Sequence, residues 1–526
     1  MSVAARGPCD EAILAATEPK PCAPATGRWV LAATILGSSL AFIDMTVVNV
    51  ALPVLQKDLD ASVSGAQWVV EAYALFLASL VLVGGTLADR FGRRRIFTTG
   101  VALFAAASAA CGAAPDVRTL ILSRALQGVG AALLVPSSLA LLGAAFSQQG
   151  RGRAVGTWSS LTSVAGAIGP IAGGWLVEVA SWRAVFYVNL PIAAAVVAIA
   201  LRKVPETRSS RPQPLDLPGA VLATAGLAGL VFGLIEAPEA GWGDPRVFVP
   251  LSAGLLALLG FVVVEARSHH AMVPLKLFRI SAFAGTNLLT LFLYAALSAA
   301  MFLLPFQLIQ AERYSPTRAG AALLPLIVLI SALSRPAGAL ADRIGPRIPL
   351  IAGPAIAAAG FFLLSAPVAG VVVALSVLGL GMAITVAPLT TTVLNAVPDE
   401  DTGMASGINN AVARVAGLVA IAALGVVALA VFDRALDRRL PEAGLGAVAS
   451  KIPAAERHKL GAAQPPTDLS ASEKKAFEGA VAASLRDSFR TSMKVAGALA
   501  LLASACGAAF IRIRAPGTRK RNGGRT

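Results

Sequence analysis

Leu87–Arg94 reads LADRFGRR, and Leu340–Arg347 reads LADRIGPR. With the glycines ahead of them, Gly85 and Gly338, both copies spell G-x-L-A-D-R-x-G-x-R. Each is a charged phrase wedged between long apolar runs. Of the 526 residues 56% are hydrophobic and only 14% charged, too little polar surface for a soluble globule. Apolar runs of about 18 residues or more, the length that crosses a hydrocarbon core, recur along the whole chain. The expected fold class is an all-α polytopic membrane protein.

Working outward from the two copies, the runs predict spans near 29–52, 66–87, 96–114, 118–145, 154–178 and 184–202. Two follow near 217–236 and 247–266, and six more near 281–309, 318–338, 348–366, 369–394, 403–432 and 489–513, fourteen in all. Residues ahead of the first run include Asp10, Glu11 and Glu18 and lack a basic n-region, so that run is read as an uncleaved span. Alternate loops are rich in Lys and Arg: DRFGRRR (89–95), RGR (151–153), RKVPETRSSR (202–211) and DRIGPR (342–347). These are expected on the cytoplasmic side of the plasma membrane, with both termini. The net charge of +15 is thereby assigned to topology, and no nucleic-acid partner is expected. His269, His270 and His458 form no ligand cluster with Cys9, Cys22, Cys111 or Cys506, so no metal and no cofactor are predicted. The stretch from Arg434 to Arg490 reads as a long external segment, in which SASE (470–473) has the form of a capping box opening an amphipathic helix.

The repeat is more than one phrase. Leu87 and Leu340 lie 253 positions apart, and Pro136 and Pro388 lie 252 apart. A near-constant offset means two similar halves, with spans seven and eight inserted between them. Paired bundles around a central site are how many secondary transporters are built. The expected organisation is a cytoplasmic tail over 1–28, a six-helix bundle over 29–203, and a linker with two extra helices over 204–270. A second six-helix bundle follows over 271–513, including the external loop 434–488, and then a basic tail over 514–526.

The phrase between spans two and three resembles the signature of the major facilitator superfamily. FIDMTVVNVALP (42–53), RALQGVGAALLVP (124–136), AGAIGPIAGGW (165–175) and WRAVFYVNLPI (182–192) narrow the likeness to the 14-spanner drug/proton antiporters. The resemblance implies two pseudo-symmetric six-helix bundles plus two inserted helices. It also implies proton-driven export of drugs, with Gly166, Gly169, Pro170, Gly173 and Gly174 as an antiporter-specific hinge or seal in span five. Ordinary small-residue packing is the other reading of that run. Two positions depart from the pattern: Ala165 stands where Gly is usual, and Glu71 where a small polar residue is common.

Rocking one half against the other requires cytoplasmic ends that hold and release. Gly85, Asp89, Arg90, Gly92 and Arg93, with Asp342, Arg343, Gly345 and Arg347, are the candidate latch. Exposed ion pairs worth about 0–1 kcal/mol each suit a contact that must open. Asp89 can pair across the seam or sit at a helix N-terminus, where its charge is favoured, and Gly85 and Gly92 are expected to supply close packing and a tight turn. Asp44, Glu71 and Arg124 fall inside spans, where an ionisable residue costs about 2.5–3.5 kcal/mol. At a rise of 1.5 Å per residue they lie at similar depths, about 12, 7 and 9 Å from the outer ends of their spans. Two acids and one base are neutral only when one carboxylate is protonated, so these three are the candidate proton-coupling groups. Asn49, Trp158, Asn287, Tyr294, Phe302, Gln307 and Gln310, polar or aromatic within apolar helices, are candidate substrate contacts. The expected function is proton-coupled antiport of lipophilic, cationic small molecules, with the lipid bilayer as surroundings and a monomer as the working unit. A dedicated exporter of one metabolite or self-made antibiotic is the alternative. A receptor or scaffold is a different class, and would not need Asp44 and Arg124 together. An enzyme is not expected, for no nucleophile–base pair is visible. No G-x-x-x-x-G-K-[ST] loop occurs for ATP.

Overall fold

Within a bilayer an unpaired backbone amide has no water to turn to, so an apolar run persists as a helix that bonds to itself. The computed structural model describes residues 24–209, 216–268, 273–366, 370–398, 401–449, 452–467 and 469–511. Cys9, Cys22, His269, His270 and most of both expected tails lie outside them. Among the described residues there is no strand, and fourteen helices are long and apolar enough to cross a membrane. Numbered as spans one to fourteen, the first six are Thr26–Asp58, Val63–Phe91, Arg93–Ala113, Val117–Ala145, Gly152–Val179 and Ala184–Lys203. The inserted pair is Leu217–Ala240 and Pro245–Arg267. The last six are Ser281–Ala311, Pro316–Ile344, Arg347–Ser365, Val371–Asn395, Thr402–Glu442 and Ala471–Phe510. Side chains of Ser62, Asp116, Ser147, Asp216, Asp244 and Ser315 accept an amide of the first turn that follows. Orphan donors at those helix starts are met locally.

Glycines set how closely the spans approach, and they do so twice. In the first half a Cβ on Gly100 would lie 2.9 Å from the Gly130 carbonyl, locking span three to span four. In the second half a Cβ on Gly353 would lie 3.0 Å from the Gly381 carbonyl, locking span eleven to span twelve. The halves thus share a packing device as well as a phrase. Both phrases turn on a glycine of positive φ, Gly92 at 113° and Gly345 at 85°, as the tight-turn expectation requires. The close-packing part of that expectation is corrected. Gly85 has only an ordinary contact with Pro136 at 3.6 Å, whereas its neighbour Gly84 abuts the Ala132 carbonyl.

Span seven lies in the seam between the halves. The Ser64 hydroxyl donates to the Ile235 carbonyl at 3.3 Å, and Trp68 meets Phe232 at 5.9 Å. Leu75, Leu227, Val231, Leu418 and Ala422 complete one apolar cluster there. Span eight instead turns Leu256 and Leu259 outward, 68% and 55% exposed, as a lipid-facing helix does.

The segment from Arg434 to Arg490 differs from its expectation. Span thirteen continues to Glu442, and the last span begins at Ala471, so helices of 41 and 40 residues project past the apolar core. At 1.5 Å per residue each is about 60 Å long, twice a hydrocarbon core. Phe432, Leu436 and Leu440 repeat every fourth residue and meet Phe477, Val481 and Leu485 in a buried cluster, which keeps both helices going outside the lipid. The capping box at Ser470 and Glu473 is present, but the helix it opens runs unbroken to Phe510.

The short segment joining these helices makes what we term the cap end; the two LADR phrases lie at the motif end. A strap around Lys459 reaches across to the first half. Its ammonium contacts Asp60 and Glu456, each at 2.6 Å. The Val63 amide donates to the His458 carbonyl at 2.9 Å, and Gln56 donates to the Lys459 carbonyl at 3.1 Å. Burial works against the Lys459 charge, but the hydrogen bonds it donates to Asp60 and Glu456 outweigh it and hold its pKa above the ordinary lysine value. Among the described residues the non-glycine positive-φ positions are Asp60, Arg313 and Leu460, and all three sit at this end. Gly130→Val or Gly381→Val is expected to overpack the paired spans, costing about 1–3 kcal/mol or more. Gly479→Ala, with no neighbour within 4 Å, should be neutral or gain a few tenths. Thermal unfolding of detergent-purified protein checks both.

Candidate functional site

Span one presents Asp44, span four Arg124 and Gln127, and span six Asn189, all inside the first half. The Arg124 Nη1 donates to Asp44 Oδ2 at 2.5 Å and to Gln127 Oε1 at 2.7 Å, and its Nε donates to the Val69 carbonyl at 2.9 Å. Gln127 then donates to Asp44 Oδ1 at 2.8 Å, and Asn189 reaches the same oxygen at 3.3 Å. Asn189 also donates to the Ser108 hydroxyl at 3.0 Å, and that hydroxyl to the Phe186 carbonyl at 2.8 Å. Asp44 and Arg124 are each only 1% exposed. The Arg124 guanidinium also lies over the Tyr73 ring at 4.4 Å and near that of Phe186 at 5.9 Å, a cation over π faces as well as an ion pair. Tyr73 lies four residues beyond Val69, so one face of span two supplies both an acceptor and a ring to the same guanidinium.

Glu71 does not join this network. It is fully buried, and neither carboxylate oxygen has a hydrogen-bond partner among the described residues. Its neighbours four residues either way are Gln67, which donates to the Ile421 carbonyl of span thirteen at 2.8 Å, and Leu75 of the seam cluster. Similar depth therefore did not mean shared contact. Asp44 and Arg124 balance each other inside the first half, and Glu71 stands on the face of span two that meets the second half.

The latch residues also part company. Asp89 pairs with Arg93 of its own half at 2.8 Å, not across the seam. The linker wraps this copy: Glu206 accepts the Arg94 and Arg95 amides at 3.0 and 3.1 Å, capping span three. The Ser209 amide donates to the Asp89 carbonyl at 3.1 Å. In the second copy Asp342 and Arg343 are exposed, and Arg347 donates to the Ala508 carbonyl at 3.1 Å. Among the described residues no ion pair joins the two copies. At the cap end the halves do touch. Gly174 packs on the Pro316 carbonyl, the Pro170 carbonyl on Gly320, and Glu178 accepts the Thr317 amide at 3.3 Å.

The span-five glycines serve two faces. Gly169 and Gly173 press on Thr46 and Val47 of span one, and Gly166 has an ordinary 3.7 Å approach to Phe42. Pro170 and Gly174 face span ten. Of the candidate substrate contacts, Trp158 donates to Ser38 at 3.2 Å, and Asn287 accepts from Asn409 at 3.2 Å. Gln307 donates to Glu312 and Gln310 to Gln56, both at 3.0 Å. Phe302 packs with Phe306 at 5.4 Å. Trp158, Asn287 and Phe302 are occupied with the protein's own groups, whereas Gln307 and Gln310 each keep a buried Oε1 without a partner among the described residues. Among the described residues Asn49 keeps a buried oxygen without a partner, and Tyr294 packs at the edge of the largest apolar cluster. Gln127 and Asn189 went unassigned in the sequence, although both sit inside the quoted motifs; an amide one turn from a membrane arginine was the available signal.

Residues 34–421 match the family model described as Major Facilitator Superfamily. The chain is 34% identical to the tetracenomycin C resistance and export protein of Streptomyces glaucescens, over 93% of this chain and 92% of that one. It is 37% identical to the multidrug resistance protein Stp of Mycobacterium tuberculosis, over 78% of each. Among solved structures, an inward-facing, unoccupied bacterial homologue of the human lysosomal transporter Spinster aligns with TM-score 0.63 at 18% identity. That alignment covers 94% of this chain and all of that one. A peptide transporter bound to sulfate aligns with TM-score 0.60 at 16% identity, over 85% and 96%.

Removing one partner of a buried pair leaves a charge alone at a cost of about 3–5 kcal/mol. Arg124→Gln is therefore expected to lower the unfolding midpoint sharply. Asp44→Asn combined with Arg124→Gln should recover more than half of the loss, and a double-mutant cycle in detergent reads this coupling.

Proposed function

The chain belongs to the major facilitator superfamily, and we propose that it is a proton-coupled antiporter exporting lipophilic cations across the plasma membrane by alternating access. The observation that carries this reading is the sealed Asp44–Arg124 pair beside the separate, unpartnered Glu71. A carboxylate paired with a guanidinium is neutral as a unit. A second carboxylate in the same membrane needs a proton or a cation to be neutral. Protons and cationic substrate then compete for the same negative charge, which is what exchange requires. Asp44, Arg124 and Glu71 are the coupling groups, and Gln127 and Asn189 position Asp44.

The motif end is cytoplasmic in this reading, and both termini lie there. Contacts at the cap end, together with latch copies each engaged within its own half, support an inward-open arrangement. On switching, Asp89 and Asp342 would trade their present surroundings for arginines of the opposite copy, while the span-five contacts with span ten separate. The six-plus-two-plus-six division follows from the same reading, with spans seven and eight as an insert. Multidrug export is supported by the likeness to the multidrug resistance protein Stp. Export of a single antibiotic is the second reading, favoured because the likeness to the tetracenomycin C exporter extends over nearly the whole chain.

The test is uptake of a fluorescent lipophilic cation into inside-out membrane vesicles energised by a proton gradient. Native protein should concentrate the dye and lose it when an uncoupler is added, and Asp44→Asn should abolish uptake. Glu71→Gln, which removes the charge that protons and cation compete for, should weaken dye binding and lose the dependence on the gradient. Uptake that ignores the uncoupler would exclude proton coupling, and absence of dye transport beside export of one antibiotic would favour the second reading.

A further inference from the structure

Between the projecting ends of spans thirteen and fourteen lies an open groove of about 640 Å³, within the range of small-molecule sites. Its walls carry Arg434 and Arg438 from span thirteen, and Arg490, Thr491 and Lys494 from span fourteen. Four positive charges thus face one space. None of the four side chains has a hydrogen bond or ion pair among the described residues, and Asp433, next to Arg434, has Arg457, His458 and Asp437 as its charged neighbours rather than any of the four. Asp487, the one acid in the lining, is paired with Arg439 at 2.5 Å, and Asp437 with Arg457 at 2.6 Å. The four cations form two rungs, each pair on a helix being one turn, about 6 Å, apart.

Depth distinguishes this groove from a merely basic surface. Arg434 comes two residues after Phe432, where the apolar run of span thirteen ends, and Lys494 immediately precedes the apolar run that begins at Val495. The lower rung therefore sits where hydrocarbon gives way to headgroups. Farther along span fourteen, Leu501 and Leu502 are 48% and 50% exposed, an apolar surface of the kind acyl chains cover. Topology gives no reason for these charges. On the orientation proposed above they lie on the external side, where Lys and Arg are ordinarily sparse. Four like charges held around one space repel one another unless an anion is present.

We propose that this groove binds the phosphate headgroup of an anionic phospholipid from the cap-side leaflet. The guanidinium groups of Arg434, Arg438 and Arg490 hold the phosphate oxygens, Lys494 adds a point charge, and the acyl chains descend along spans thirteen and fourteen. A bound headgroup bridges two helices that both belong to the second half. The requirement for phosphate is shared with free inorganic phosphate, and the position at the hydrocarbon boundary selects the lipid.

The experiment uses the full-length purified protein in mixed micelles containing phosphatidylglycerol, phosphatidylcholine, or no added lipid with inorganic phosphate in excess. Retained lipid is counted by native mass spectrometry, and the unfolding midpoint is followed in parallel. Native protein is expected to retain phosphatidylglycerol over phosphatidylcholine by about tenfold or more, with a raised midpoint. Arg434→Gln combined with Arg490→Gln should remove that preference, and Arg434→Lys with Arg490→Lys should keep most of it. Equal retention of the two lipids by native protein would overturn the proposal, as would a folded glutamine variant that keeps the preference. A midpoint raised equally by inorganic phosphate, with phosphatidylglycerol displaced, would replace the lipid by free phosphate. If the glutamine variant does not fold, the native-protein arms decide alone.

Discussion

A guanidinium inside a membrane is tolerable only when its donors find acceptors, and Arg124 organises the first half around that need. Asp44 neutralises it from span one, Gln127 supports it from its own helix, and the Val69 carbonyl and the Tyr73 ring meet it from span two. Asn189 of span six touches the carboxylate rather than the arginine. Four helices are therefore tied to one charge pair, in surroundings where a lost bond cannot be replaced by water. Such a network also concentrates in Asp44 the choice between partners. The carboxylate itself holds two other helices, span four through Arg124 and Gln127 and span six through Asn189.

Among the described residues the second half has no matching pair, although its glycine packing matches. Gly353 and Gly381 repeat what Gly100 and Gly130 do, yet spans nine and thirteen are joined by amides and hydroxyls, Asn287, Thr290 and Asn409. The shared scaffold is steric; among the described residues the ion pair with both partners buried belongs to the first half, while span thirteen of the second carries the half-buried Arg414 without one. Glu71 stands between them, on the first half but facing the second, so a change in its charge state would be felt at the seam itself. Span seven closes the same seam from the lipid side, which gives the inserted pair a structural reason to be there.

Contacts between the halves are unevenly distributed. The cap end has helix-to-helix backbone approaches at Gly174 and Gly320, the Gln67–Ile421 hydrogen bond, and the Lys459 strap. At the motif end Asp89 pairs within its own half and Asp342 and Arg343 are exposed, with the linker carboxylate Glu206 occupying the start of span three. Three non-glycine residues of positive φ gather at the cap end, where a strained backbone held by its surroundings accompanies the closed contact.

Spans, repeat and family were legible in the sequence because each is local or periodic. An apolar run of sufficient length has one stable form in lipid, and an offset between two phrases survives whatever the side chains do. Gly92 and Gly345 were readable for the same reason, since a turn of positive φ needs a glycine within the motif itself. Contacts between distant positions were not. Depth along a helix put Asp44, Glu71 and Arg124 at one level, but depth says nothing about azimuth, and the helix faces part Glu71 from the pair. The same ambiguity hid the two faces of span five, the commitment of Trp158 and Gln310 to internal bonds, and the pairing of Asp89 within its own half. The capping box within the 434–490 stretch was legible, but the length of its helices was not, because its polar residues lower the mean while Phe432, Leu436 and Leu440 hold a buried stripe that only a facing helix completes. What the chain alone determined is how many times it crosses and that it does so as two related halves. Which charges meet was decided by tertiary packing, because helix rotation is set by neighbouring helices and not by the helix's own sequence.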